Sequence, residues 1–147
     1  MRPTPRTSRR FADARGFTMV ELLVCMLLLG IMAAIALPAF LDQRAKGEDA
    51  EAQLTVRTAV TALVTWHTDH DKYDATVAQL KTLEPALTEN WNLDVSGTTD
   101  SFEITETSAS GTTFTLSRDA TGTTQRTCSD HGRGLCRDAS DGAGNWW

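Results

Sequence analysis

Read as a string of apolar and polar positions, the chain changes rhythm three times. Twenty consecutive uncharged residues run from Leu22 to Leu41. At about 1.5 Å rise per residue, a helix of that length crosses a hydrocarbon core of about 30 Å. From Leu41 to about His70 the pattern turns amphipathic. Ala45, Ala52, Val56, Ala59, Val60, Leu63 and Trp66 recur at three- and four-residue steps, marking one apolar helical face. Glu48, Asp49, Glu51 and Arg57 are assigned to the opposite face. No proline falls between Pro38 and Pro85, so one helix from Phe17 to about His70, roughly 80 Å long, is predicted. Its first half suits a membrane or a fibre core, and its second half packs on the C-terminal part of the chain.

The remaining rhythm is shorter. Asp74 to Leu83 predicts a short helix, with Asp74 as N-cap, Val77, Leu80 and Leu83 inward, and Pro85 as the stop. Beyond Trp91 the period falls to two. Strands are predicted at about 91–96, at "SFEITET" (101–107) and at "TFTLSR" (113–118), and a fourth leads through Gln125 to Cys128. "SASG" and "DATG" supply the intervening turns. The fold class is α+β: a long N-terminal helix whose amphipathic second half packs on an antiparallel sheet of three to four strands.

Charge divides the chain in the same place as hydropathy. The net charge is −5, yet residues 1–16 carry five arginines against Asp13 alone, and the remainder carries −9. Basic residues ahead of an apolar span stay on the cytoplasmic side, which predicts the C-terminal part across the membrane. A cleaved secretory signal is the competing reading. Against it, the apolar run is too long. Glu21 at the front of the run is costly in hydrocarbon and calls for a partner.

Arg15-Gly16 stands directly before Phe17, and Glu21 lies five residues past the glycine. The stretch "GFTMVELLVCMLLLGIMAAIALP" resembles the class III signal of type IV prepilins and pseudopilins, with Gly16, Phe17, Thr18, Glu21, Leu22, Leu23, Gly30 and Pro38 at the family's positions. The likeness covers about 30 residues. It implies cleavage between Gly16 and Phe17 by a prepilin peptidase, which also N-methylates the new Phe17 amine. It further implies that Glu21 accepts the Phe17 amine of a neighbouring subunit, setting axial register in a low-dielectric bundle. The segment between Gly30 and Pro38 is the expected helix interruption, since proline lacks a backbone donor. Cys25 reads as a small apolar residue of the span.

The resulting layout is a cytoplasmic leader over 1–16, a transmembrane or filament-core helix over 17–41, its amphipathic continuation over 42–72, and an extracytoplasmic α/β head over 73–147. Cys128 and Cys136 are the only cysteines outside the span, and the compartment across the membrane permits a disulfide. The closed loop also resembles the C-terminal disulfide region of many type IV pilins. Zinc at Cys128, His131 and Cys136 with His67 or His70 fits no compact spacing. Calcium at Asp69, Asp71 and Asp74 lacks the glycine and glutamate of a calcium loop. Ser129, Asp130 and His131 are adjacent in sequence, which does not arrange them as a triad.

These readings converge on a structural subunit with no enzyme activity and no cofactor. It would be stored in lipid in the inner membrane, then polymerised with its own copies into a helical filament on the cell surface. Its partners would be the peptidase and N-methyltransferase, an inner-membrane assembly platform and an ATPase. A type II secretion pseudopilin is the alternative. A minor pilin acting as a binding module is another, and for DNA it could use only Arg126, Arg133 and Arg137. What the filament binds, DNA or a host surface, stays open.

Overall fold

A computed structural model describes residues 16–87, 92–141 and 145–147. The leader before Gly16 lies outside the described residues, as does Trp91, the expected start of the first strand. The chain divides into two compact units, Met1–Pro38 and Ala39–Trp147.

The first unit contributes the opening of α1, a helix over Met19–His70. Thr18 is its N-cap: the Oγ1 accepts the Glu21 amide at 3.2 Å, and the carbonyl accepts the Leu22 amide at 3.1 Å. The helix is unbroken across Gly30 and Pro38, so the expected interruption is not a break in this state. The large apolar side chains from Phe17 to Leu41 are exposed, and this helix is long and apolar enough to cross a membrane.

The second unit begins within α1 and holds the core. Ala52, Val56, Ala59, Ala62 and Leu63 are buried, with Val60 and Trp66 packed beside them. That stripe keeps the predicted period with one correction. Asp49, assigned to the solvated face, is fully buried.

The sheet has four strands: β1 (Leu93–Gly97), β2 (Phe102–Thr107), β3 (Thr113–Arg118) and β4 (Thr124–Cys128). They form an antiparallel meander in the order β1-β2-β3-β4. Ile104 lies opposite Val95 and Leu116, and Phe114 opposite Glu106 and Cys128. Leu93, Phe102, Ile104, Phe114 and Leu116 face the core. On the other face, Thr105 pairs with Thr115 and Thr107 with Thr113, hydroxyl to hydroxyl at 3.1 and 3.2 Å.

The short helix α2 spans Val77–Leu83, three residues later than expected, with Thr76 as N-cap. Thr76 and Gln79 close a capping box in both directions. Asp74 instead accepts the Trp66 indole N–H at 3.2 Å. Leu80 is buried as expected, but Leu83 is exposed, and Leu87 from a 3₁₀ turn at Pro85–Leu87 fills the core.

Candidate functional site

Two places carry chemistry, one in each unit. In the first, residues 16–18 have no regular structure and lead into α1. Open space surrounds Gly16, and Phe17 is 75% exposed. The Glu21 carboxylate has no hydrogen bond or ion pair among the described residues. An unshielded glycine, an exposed phenylalanine and an acid with no partner among the described residues therefore sit together at one helix start.

In the second, Cys128 at the end of β4 is bonded to Cys136, with 5.9 Å between the α-carbons. The loop they close is held to α1 by Asp49. One carboxylate oxygen accepts the Leu135 amide at 3.0 Å, and the other accepts the Ser110 hydroxyl from the β2–β3 turn. Gly134 lies so close to this carboxylate that a Cβ would stand 1.9 Å from an oxygen, and its φ is +58°. Only glycine suits both the conformation and the approach. A single buried side chain thus joins helix, hairpin turn and disulfide loop.

Trp146 and Trp147 complete the same region. The Trp146 amide donates to the Arg126 carbonyl at 2.8 Å, and its carbonyl accepts the Arg137 amide at 3.0 Å. The edge of β4 is thereby covered. Trp147 is buried, donates its indole N–H to the Thr127 carbonyl at 2.7 Å, and meets Phe114 edge-on. Arg57 and Arg126 each lie 5.8 Å from the centre of its ring.

The competing chemistries can be placed. Cys128, His131 and Cys136 cluster, but with both sulfurs in a disulfide neither is a thiolate ligand. His131 packs against Trp146 at 3.9 Å. Asp69, Asp71 and Asp74 do not converge: among the described residues the cysteine–histidine group alone brings three ligand atoms within 4.8 Å. Ser129, Asp130 and His131 point to different partners, the Thr113 amide, Arg133 and Cys136 respectively. Arg133 faces Asp130 at 4.0 Å. Arg137 instead lines an open groove of about 370 Å³ with Gln53, Arg57, Leu135 and Trp147.

Three structural residues escaped the sequence reading: Asp49, Glu106 and Trp147. Glu106 is buried on the inner face of β2, and one of its oxygens has no hydrogen bond. Burial pushes its carboxyl up to about 7, with Lys81 opposing the rise and Glu51 adding to it.

The model of the prokaryotic N-terminal methylation motif matches residues 12–37. The type IV major pilin protein PilA of Myxococcus xanthus is 35% identical over 68 residues, which are 46% of this chain and 31% of that protein. Type IV major pilin protein PilE1 of Neisseria gonorrhoeae is 36% identical over 59 residues, covering 40% and 36%. Type II secretion system core protein G of Pectobacterium carotovorum is 29% identical over 69 residues, covering 47% and 44%. The amino-terminal part of the chain is thus similar to type IV major pilins and to a type II secretion core protein. The matched segments span less than half the length of each of these curated relatives.

Proposed function

We propose that the chain is the structural subunit of a type IV pilus. In this reading a prepilin peptidase cuts between Gly16 and Phe17, the new Phe17 amine is methylated, and the subunit waits in the inner membrane with its head outside. An ATPase-driven platform then builds the subunits into a helical filament. The single observation that supports it best is the exposed apolar helix with an unpartnered Glu21 at its front. Such a surface is satisfied by lipid before assembly and by other helices after it. A neighbour's Phe17 ammonium is the one group this motif supplies to neutralise the carboxylate. In this reading any loosening between Gly30 and Pro38 accompanies assembly and starts from a continuous helix.

A second reading, a type II secretion pseudopilin, is favoured by the similarity to core protein G. Both readings share the processing step, and its test is mass spectrometry of the mature amino terminus in the native host. Methylated Phe17 is the expected result, and an unprocessed or differently cut chain overturns both. Glu21→Ala should preserve membrane insertion and abolish sheared filaments. Normal filament yield would remove the ion-pair role. A filament-free but secretion-defective deletion strain would select the pseudopilin.

A further inference from the structure

The cysteine–histidine group of the disulfide loop is arranged for more than the bond it carries. The donor atoms of Cys128, His131 and Cys136 all lie within 4.8 Å of one another, and the Nδ1 of His131 is 3.5 Å from the Cys136 sulfur. In a tetrahedral zinc site, a sulfur at about 2.3 Å and a nitrogen at about 2.0–2.1 Å from the ion stand about 3.6 Å apart. The imidazole is therefore already at ligand spacing from one sulfur. The disulfide bond withholds both sulfurs from a metal, because the thiolate is the coordinating form. The run Cys-x2-His-x4-Cys is not compact in sequence. Gly132 and Gly134, at φ of +78° and +58°, turn it back on itself.

The scaffold that gathers these atoms does not depend on the disulfide. Inside the loop, the Gly132 amide donates to the Cys136 carbonyl at 3.0 Å, and the Cys136 amide to the Arg133 carbonyl at 2.9 Å. Asp49 of α1 holds the Leu135 amide at 3.0 Å. Cys128 is fixed at the end of β4, and the His131 ring rests against Trp146, 3.9 Å between centres. Reduction removes the covalent link and leaves these contacts to hold the loop. Both cysteines are buried and His131 is exposed, so an ion reaches the cluster from the imidazole side.

We propose that the reduced loop is a metal site, with the thiolates of Cys128 and Cys136 and the Nδ1 of His131 as ligands and water in the fourth position. Two soft sulfurs and an imidazole select zinc or a similar thiophilic ion over calcium or magnesium. The loop then has two alternative closures, a disulfide or a bound ion. To pass from the first to the second, a dithiol reductant becomes a disulfide while the Cys128–Cys136 bond breaks. Each cysteine sulfur takes up one electron and one proton, and the ion displaces both thiol protons as it binds. A newly made chain, before oxidation, holds the same two thiols.

The test uses the purified full chain in detergent, carrying Cys25→Ser so that the span supplies no thiolate. It is reduced with a phosphine and then freed of it. Cobalt(II) is the probe, because cobalt–thiolate bonds give a charge-transfer absorption band. One Co²⁺ should bind per reduced chain with that band, and Zn²⁺ should displace it; the oxidised chain should show none. His131→Ala should weaken binding at least about tenfold, since even the outer partners of metal ligands are worth about 10–100-fold. His131 is exposed, and the oxidised His131→Ala chain serves as the fold control. A reduced chain without the band overturns the proposal. So does a His131→Ala chain that binds as tightly as its parent, or a stoichiometry of one ion to two chains.

Discussion

The two halves of α1 use the same helix for opposite purposes. From Phe17 to Leu41 its large apolar side chains are exposed, and the acid among them, Glu21, has no partner among the described residues. From Asp49 to Leu63 one stripe is buried, and the acid in it, Asp49, has two partners from distant parts of the chain. A charge set among apolar residues therefore has two resolutions. It can be left open for another molecule, or closed by the chain's own backbone and hydroxyl groups. The difference between the halves teaches where each part finds its stability: the first outside itself, the second within.

The sharpest way to break this contrast is to open the closed acid. Asp49→Ala leaves the Leu135 amide and the half-buried Ser110 hydroxyl without their acceptor. Removing a buried charged acceptor with two hydrogen bonds costs about 3–5 kcal/mol. Denaturant unfolding of the purified chain in detergent should show that loss, and Asp49→Asn about half of it. If the alanine variant unfolds at the wild-type midpoint, Asp49 is not the junction described.

A smaller effect is expected from the covalent closure of the same loop. Cys128 and Cys136 are eight residues apart, and closing a loop this short constrains the unfolded chain by about 2.5 kcal/mol in the entropic account. The double serine variant should lose about that much. It should also raise proteolysis near Arg133 and Arg137, because the hydrogen bonds from Asp49 and Trp146 then hold the loop without a covalent link. Unchanged stability would show that Asp49 and Trp146 fix the loop without the bond.

These packing rules also explain which elements were legible in the sequence. The apolar run, β2, β3 and the turn between them were plain because composition and period agreed there, whereas β4 (Thr124–Cys128) has no apolar alternation and left the strand count at three to four. The buried acids were harder, although their positions carried the signal. Asp49 lies four residues after Ala45 and three before Ala52, and Glu106 lies two after Ile104. Period placed both on buried faces, while their charge argued for solvent. Periodicity reports the backbone's geometry, whereas charge reports only the cost of burial, which local partners can offset. Trp146 and Trp147 had no period to read, because they pair with a strand edge from outside any element. The helix start at Thr76, not Asp74, turned on a reciprocal box with Gln79, a signal that the sequence did contain.

The smallest effect concerns Glu106, the buried acid that its surroundings close least well. One of its oxygens lacks a hydrogen bond, and burial raises the carboxyl from its ordinary 4.5 to about 7. Below pH 4.5 the group is protonated whether folded or unfolded, and burial carries no charge penalty. As pH rises from 4.5 through about 7, the unfolded chain releases its proton first, so stability falls. Above about pH 7 the folded state holds a buried carboxylate, at a total cost of about 1–3 kcal/mol. Glu106→Gln keeps the shape and cannot ionise. It should match the wild-type stability near pH 4 and exceed it by that amount at about pH 8, measured by denaturant midpoints at the two values. A stability difference that does not change with pH would mean that Glu106 is satisfied as a carboxylate. The contrast would then sharpen further, with both buried acids of the head closed and Glu21 left open.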